Sequence, residues 1–450
     1  MRIDLAEPAR LTALLREHYS LDDLPEIKGI TIDSRQVRVG DMFVPIVGNR
    51  ADGHTFIPNA VESGAVAVMA EHPIPPLPAK TAVIQVSDTI EELGTLARIW
   101  RGSHTPNVVA ITGSNGKTTT KNLVIDILAT KFKVLGTESS YNSTIGLPLT
   151  LLRLDQECEI AVLELGSNLP GEIAYLARIA QPEIGLITNV SETHVAHLDN
   201  KQGVIREKEA LFMALPSGGT AVVNMDDAAV AGMKTSARRL TYGFQSSVDV
   251  TGWYEETQDG GDLLIGDDLE IRIPYAGKHL AGIALAAAAV GLLLGVSKQL
   301  IKETVESLSL PPGRGEILHL DGITVIDDSY NANLASTLVG LETLLRIPSE
   351  GRRFLVFGDM LELGRFSEEH HRQVGEFAAA NGIDEILCYG PETRATYCSA
   401  QTAGLQALHF ENKSELSHAL SESARPGDVV YVKGSRGMAM ETIIQEAFNG

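Results

Sequence analysis

The chain has 450 residues, 44% of them hydrophobic, with 58 acidic against 37 basic side chains and a formal net charge of −21. That length exceeds what one hydrophobic core supports, so two or three domains are expected. The acidic balance excludes a nucleic-acid surface, which needs clustered Lys and Arg to release counterions from a polyanion. Cys158, Cys388 and Cys398 are too few and too irregularly spaced for a disulfide framework or a CxxC zinc site, which fits a reducing cytoplasm. The start, Met1-Arg2-Ile3-Asp4-Leu5-Ala6-Glu7, has acids where a signal peptide needs a basic flank and an unbroken apolar core.

The first hundred or so residues alternate short apolar runs with loops, as in Gly29-Ile30-Thr31-Ile32 and Ala65-Val66-Ala67-Val68-Met69. They predict a small α/β domain over 1–104. Pro73-Ile74-Pro75-Pro76-Leu77-Pro78 reads as a stiff surface loop. Beyond it, over 105–313, apolar strands alternate with helical patterns, the signature of a mainly parallel sheet with helices on both faces. Its first strand breaks at Gly113-Ser114-Asn115-Gly116-Lys117-Thr118-Thr119, a G-x-x-G-K-T loop. This is shorter than G-x-x-x-x-G-K-[ST], which would put glycine where Ile111 stands. In such a loop glycines let backbone N–H groups close around phosphate oxygens, the lysine neutralises them, and the threonine hydroxyl can ligate Mg²⁺. The loop predicts a nucleoside triphosphate ligand.

The strands Ile160-Ala161-Val162-Leu163-Glu164 and Ile184-Gly185-Leu186-Ile187-Thr188-Asn189 both end in polar residues, and ligands of open α/β sheets bind beyond the carboxyl ends of strands. Glu164, after four apolar residues, is either a Mg²⁺ ligand or a partly exposed strand-end acid. Local sequence reads His194 as a surface or hydrogen-bonded histidine and Lys208 as a solvated helix lysine. Leu280 to Val296 has no charge but is short and rich in Ala and Gly, which predicts a buried helix rather than a membrane span. A third region, 314–450, repeats the pattern with strands around Thr324-Val325-Ile326-Asp327-Asp328, Phe354-Leu355-Val356-Phe357-Gly358 and Val429-Val430-Tyr431-Val432-Lys433.

Taken together, Thr112 to Thr119, Leu163-Glu164-Leu165-Gly166, Glu192-Thr193-His194 and Lys208-Glu209-Ala210-Leu211-Phe212 resemble, in order and spacing, the Mur ligase family of ATP-dependent amide ligases. The motifs Asp327-Asp328-Ser329-Tyr330-Asn331-Ala332-Asn333, Phe357 to Gly364 and Val432 to Met440 resemble the branch that joins D-alanyl-D-alanine to UDP-N-acetylmuramoyl-tripeptide. The resemblance covers essentially the whole chain. It implies an α/β enzyme of three domains: a small N-terminal one, a central mainly parallel sheet with the shortened mononucleotide-binding loop, and a Rossmann-like C-terminal one. It also implies a monomer without nucleic-acid or membrane partners.

By the family pattern Ser34, Arg35 and His54 hold the UDP end of the substrate. ATP falls to Gly113, Ser114, Asn115, Gly116, Lys117, Thr118 and Thr119 with His279, Arg314, Asp328 and Asn331. Asn142, Tyr330, Asn333, Lys433, Ser435 and Arg436 face the remaining substrate atoms. Thr118 and Glu164 match ligands of one Mg²⁺; Glu164, His194 and a carbamylated Lys208 match the surroundings of a second. Lys117, Glu164, His194 and Lys208 are then the catalytic set. The chain departs from the pattern at Leu280 and Ile283, where two asparagines are usual, at Ser139 and Ser140, and at Leu334, which stands for a proline. A relative that adds a single amino acid would lack the Asp-Asp-Ser-Tyr-Asn-Ala-Asn and Gly-Asp-Met-Leu-Glu-Leu-Gly motifs. A nucleotide-binding protein without turnover would have little use for the four catalytic residues together.

Overall fold

The computed structural model describes residues 1–448 except 49–50, 79, 139–140, 192–197, 199 and 258–259. Among the described residues there are three sheets, taken up in chain order by three α/β domains. The first sheet has five strands in sequential order, parallel apart from the antiparallel first pair. The third has six, with the antiparallel pair Glu316–Leu320 and Ile323–Asp328 at one edge and Val429–Lys433 inserted beside Ile323–Asp328.

The nine-stranded central sheet positions the site. Asn107–Thr112 pairs in parallel with Ile160–Glu164 on one side and Ile184–Ile187 on the other. Successive connections therefore leave this strand in opposite directions, which opens a crevice at its carboxyl end. The strand is a continuous apolar run because both of its faces are covered. Val108 and Ala110 point into one core, Val109 and Ile111 into the other, and all four are fully buried. The far edge of this sheet is an antiparallel meander, Val250–Thr257, Gly260–Ile265 and Leu269–Ile273, which alternates buried and exposed residues rather than running apolar.

Most of the chargeless segment lies in the helix Lys278–Leu293, buried along most of its length against the helix Lys117–Ala129. Alanines and Gly291 allow that approach: a Cβ on Gly291 would lie 2.7 Å from Ile127 Cγ2. Among the described residues no helix is long and apolar enough to cross a membrane.

The helix Thr89–Gly102 fastens the first domain to the second. Asp88 caps it, accepting from the N–H groups of Ile90 and Glu91. At its other end Trp100 Nε1 donates to Leu154 O at 3.1 Å, and the buried Arg101 guanidinium donates to Ala180 O, Gln181 O and Glu183 Oε1. Trp100 is 1% exposed. Trp100→Ala is expected to cost about 3–5 kcal/mol, the usual loss for emptying such a site. Calorimetry should show it in the transition of the first two domains; a loss below about 1 kcal/mol would place the seam elsewhere.

Candidate active site

The loop after Asn107–Thr112 turns on two glycines in left-handed or otherwise glycine-favouring conformations, Gly113 (φ +148°) and Gly116 (φ +76°). Gly116 starts the helix Lys117–Ala129 without a side-chain cap, so the first N–H groups of that helix have no side-chain acceptor. Such an uncapped start favours an anion. The neighbouring strand end clasps the loop from the other side. Asn115 N donates to Asn189 Oδ1 (3.0 Å), while Thr188 Oγ1 and Asn189 Nδ2 donate to Asn115 O (2.7 and 3.1 Å). Ser114 Oγ donates to Ser191 O and accepts from Ser191 N. Thr188, Asn189 and Ser191 are functional neighbours that motif reading passes over. Their signal is the polar end of the strand Ile184–Ile187.

Beside the loop, Glu164 is 2% exposed and fully engaged. Thr118 Oγ1 donates to its Oε2 at 2.8 Å, Asn142 Nδ2 to its Oε1 at 2.7 Å, and its own N–H donates to Thr137 Oγ1 at 3.1 Å. A carboxylate and a hydroxyl held together at a cavity wall form a hard-oxygen donor set of the kind that suits Mg²⁺. Lys117 folds back so that Nζ donates to Gly113 O (2.8 Å) and Ser114 O (3.3 Å). Burial lowers its pKa, and Glu164 opposes that effect.

Lys208 is 2% exposed, in the helix Lys201–Ala214, and its Nζ donates to Ser167 Oγ at 2.8 Å. Burial first, then the charge of Lys117, lowers its pKa to about 7, against Glu207, Glu172 and Glu164. An ammonium offers no lone pair to a cation. Its neighbour Glu207 caps the helix Glu172–Ala180, accepting from Gly171 N and Ile173 N, both at 2.7 Å. His194, Ser139 and Ser140 lie outside the described residues.

A cavity of about 1450 Å³ opens over this wall, between the central and C-terminal domains. Ser114 to Thr119, Asn142, Glu164, His279, Arg314, Asp328, Tyr330, Asn331, Asn333, Lys433, Ser435 and Arg436 all line it, so motifs more than 300 residues apart meet there. The two sides touch directly: Asn333 Nδ2 donates to Asn115 Oδ1 at 2.6 Å. Asn333 also caps the helix Leu334–Arg346 through a reciprocal box with Ser336, and Leu334 takes the first helical position, where proline is common. At the other end of that helix Arg346 Nε lies 3.3 Å from Glu256 Oε1 of the central domain.

The C-terminal side is pinned from below. Lys433, 1% exposed, donates to Asp328 Oδ2 (2.5 Å) and Asn331 O (3.0 Å), and Tyr431 OH donates to the same Asp328 oxygen. Lys433 thus acts on the cavity by holding the Ser329–Asn333 turn. Ser435 Oγ accepts from Leu361 N, and the Arg314 guanidinium sits 4.0 Å from the Tyr330 ring centre. His279 lines the cavity with its side chain exposed, and partial desolvation by the surrounding walls lowers its pKa while Asp328 opposes the effect. Leu280 and Ile283 add an apolar shelf, with Ile283 Cδ1 3.3 Å from where a Cβ on Gly116 would be.

Among the described residues, Ser34, Arg35 and His54 do not line this cavity. Ser34 and Arg35 begin a short helical turn capped by Asp33, and Arg35 pairs with Asp33, whose pKa falls to about 2 mainly through that hydrogen bond. Arg35 borders a shallow pocket with Arg2 and Arg38. His54 is buried, its Nδ1 2.7 Å from Asp52 Oδ1 and its Nε2 accepting from Glu71 N at 3.1 Å, so both ring nitrogens are engaged.

A Cβ on Gly113 would stand 1.9 Å from Thr188 Oγ1, and the φ there is strained for any L residue. Gly113→Ala is expected to cost about 1–3 kcal/mol and to weaken nucleotide binding at least tenfold. Unchanged ADP affinity by calorimetric titration would show that the loop does not hold phosphates.

Comparisons with known proteins agree along the chain. The family models described as Mur ligase family catalytic domain, Mur ligase middle domain, and Mur ligase glutamate ligase domain match residues 26–101, 111–291 and 313–436. The UDP-N-acetylmuramoyl-tripeptide--D-alanyl-D-alanine ligase of Escherichia coli is 34% identical over 449 residues, covering 97% of each chain. The enzyme of that name from Bacillus subtilis is 33% identical over 426 residues, covering 93% of each. The crystal structure of MurF from Acinetobacter baumannii superposes with a TM-score of 0.86 at 30% identity, covering 94% of this chain and 93% of that one. MurF ligase from Thermotoga maritima in complex with ADP gives 0.83 at 28% identity, covering 95% and 98%. With a phosphate loop, a buried carboxylate and a C-terminal wall meeting at one cavity, and with relatives matching from end to end, this chain belongs to the Mur ligase family.

Proposed function

We propose that the chain is an ATP-dependent, ADP-forming ligase. It joins D-alanyl-D-alanine to the terminal carboxylate of UDP-N-acetylmuramoyl-tripeptide, making the pentapeptide precursor of peptidoglycan in the cytoplasm during cell-wall biogenesis. The observation that carries this reading is the Asn115–Asn333 bond, which joins the phosphate loop to the turn bearing the dipeptide-ligase motif. The proposed division of labour gives the UDP end to residues 1–104, ATP and Mg²⁺ to 105–313, and dipeptide and ATP contacts to 314–450. Arg35, in a pocket lined also by Arg2, Arg38 and Asp4, is the residue proposed to meet the diphosphate there.

A carboxylate is a poor electrophile with a poor leaving group, and phosphorylation removes both obstacles. The tripeptide carboxylate attacks the γ-phosphorus of ATP; the new P–O bond forms as the bond to ADP breaks, giving an acyl phosphate. Lys117 and the N–H groups of the loop face the phosphoryl oxygens, where charge spreads in the transition state. Thr118 and Glu164 would hold Mg²⁺, which when bound supplies further neutralisation of that charge. The free amine of D-alanyl-D-alanine then attacks the acyl carbon, phosphate leaves, and the amine proton passes to solvent. Tyr330, Asn331 and Asn333 line the cavity on the side from which they would shield the acyl phosphate from hydrolysis. Phosphate release should require ATP, Mg²⁺, D-alanyl-D-alanine and a UDP-muramoyl-tripeptide together, with a product heavier by one dipeptide residue. ATP binding without release would leave a nucleotide-binding protein of another kind.

Carbamylation of Lys208 fits its surroundings. With a pKa near 7 a large share of the amine is neutral at physiological pH, and the neutral amine can attack CO₂. An N–C bond forms, an electron pair moves to oxygen, and the amine proton leaves, turning a cation into an anionic oxygen donor. Lys208→Ala is expected to lose at least a hundredfold in kcat and to recover part of it with short carboxylic acids. Parent-like activity without additives would end the carbamate reading.

A further inference from the structure

Lys121 is a second buried lysine on the phosphate-loop helix, one turn beyond Lys117, and the chemistry above does not use it. It is 2% exposed, and its Nζ donates to Thr137 O at 2.5 Å. A long cationic side chain buried this deeply serves packing poorly, since Leu or Met would fill the space without desolvating a charge. Glu164, Asp126 and Glu138 act on that charge favourably, while burial and Arg314 oppose it.

Thr137, itself 2% exposed, opens the loop that follows the strand Val134–Gly136. Its N–H donates to Val162 O at 3.1 Å, and its hydroxyl accepts the N–H of Glu164. Asn142 donates to Glu164 Oε1, and its carbonyl accepts the N–H of Gly166 at 2.9 Å. Thr137, one of the three groups that fix Glu164, is therefore itself tied by Lys121. We propose that Lys121 is a positioning residue for the cation-binding carboxylate: by tethering Thr137 it aligns the hydroxyl that holds the backbone of Glu164. This rests on the reading of Thr118 and Glu164 as the Mg²⁺ site.

The test is calorimetric titration of the full chain with ADP at stepped Mg²⁺ concentrations, on the parent, Lys121→Met and Lys121→Arg. The parent should gain ADP affinity with Mg²⁺. Lys121→Met, which keeps most of the stem and loses the donor, should bind ADP without metal within twofold of the parent but need at least tenfold more Mg²⁺ for half the gain. Lys121→Arg should recover most of it. A parent-like Mg²⁺ requirement in Lys121→Met, or an equal loss of affinity with and without metal, overturns the proposal. If Lys121→Met does not fold, Thr137→Val carries the same expectation, because it removes the hydroxyl that accepts from Glu164 and keeps the carbonyl that Lys121 holds. A parent whose ADP affinity ignores Mg²⁺ would remove the metal-site reading itself, and this inference with it.

Discussion

Burying the carboxylate of Glu164 is the constraint around which the site is arranged. An anion withdrawn from water at the end of an apolar strand persists only if its oxygens are met by donors and its charge by cations. Thr118 arrives from the phosphate-loop helix and Asn142 from the loop after Val134–Gly136, while the backbone N–H of Glu164 is taken up by Thr137. Lys117, Lys121 and Lys208 share the same electrostatic neighbourhood. Three segments separated in sequence thus converge on one side chain. In a chain of net charge −21, Lys117, Arg314 and Arg436 on the cavity wall give a polyanionic ligand locally positive ground.

The C-terminal domain answers a second requirement, that the reacting groups be shielded. Its helix Leu334–Arg346 spans the cavity and is met by the central domain at both ends, at Asn115 and at Glu256. The amide pair is the stronger determinant of placement, since Asn333 is 6% exposed whereas Arg346 and Glu256 are solvated and exposed ion pairs contribute little. Beneath it the Asp328–Lys433–Tyr431 cluster fixes the turn from which Tyr330 and Asn331 face the cavity.

Much of this was legible in the residues. An apolar β-branched run ending in Gly113 and Gly116 declares a strand and a phosphate loop, and the polar ends of Ile160–Glu164 and Ile184–Ile187 mark the carboxyl edge of a parallel sheet. The burial of the helix Lys278–Leu293 follows from the small, chargeless composition of its residues from Leu280 on. Lys208 was not legible locally, because a helix lysine flanked by glutamates has the pattern of a solvated face; only the fold buries it. The clasp of Thr188 and Asn189 on Asn115, the pairing of Asn115 with Asn333, and the tether from Lys121 are tertiary contacts between polar residues that carry no periodic signature. The antiparallel meander of 250–273 does not stand out from the mainly parallel pattern, because its strands are half exposed and carry no continuous apolar run.

The seam made by Trp100 and Arg101 has a bearing on selectivity by length. Those two side chains fasten the first domain to the second through the backbone carbonyls of Leu154, Ala180 and Gln181. The separation between the Arg35 pocket and Glu164 is therefore set by packing. If, as proposed, the substrate's UDP end is held at the first and its carboxylate reacts near the second, that fixed separation would measure it end to end, as by a ruler. One amino acid fewer in its peptide would then leave the carboxylate short of the phosphate loop, and one more would carry it past, so that the fold itself would count residues before any side-chain pocket reads them.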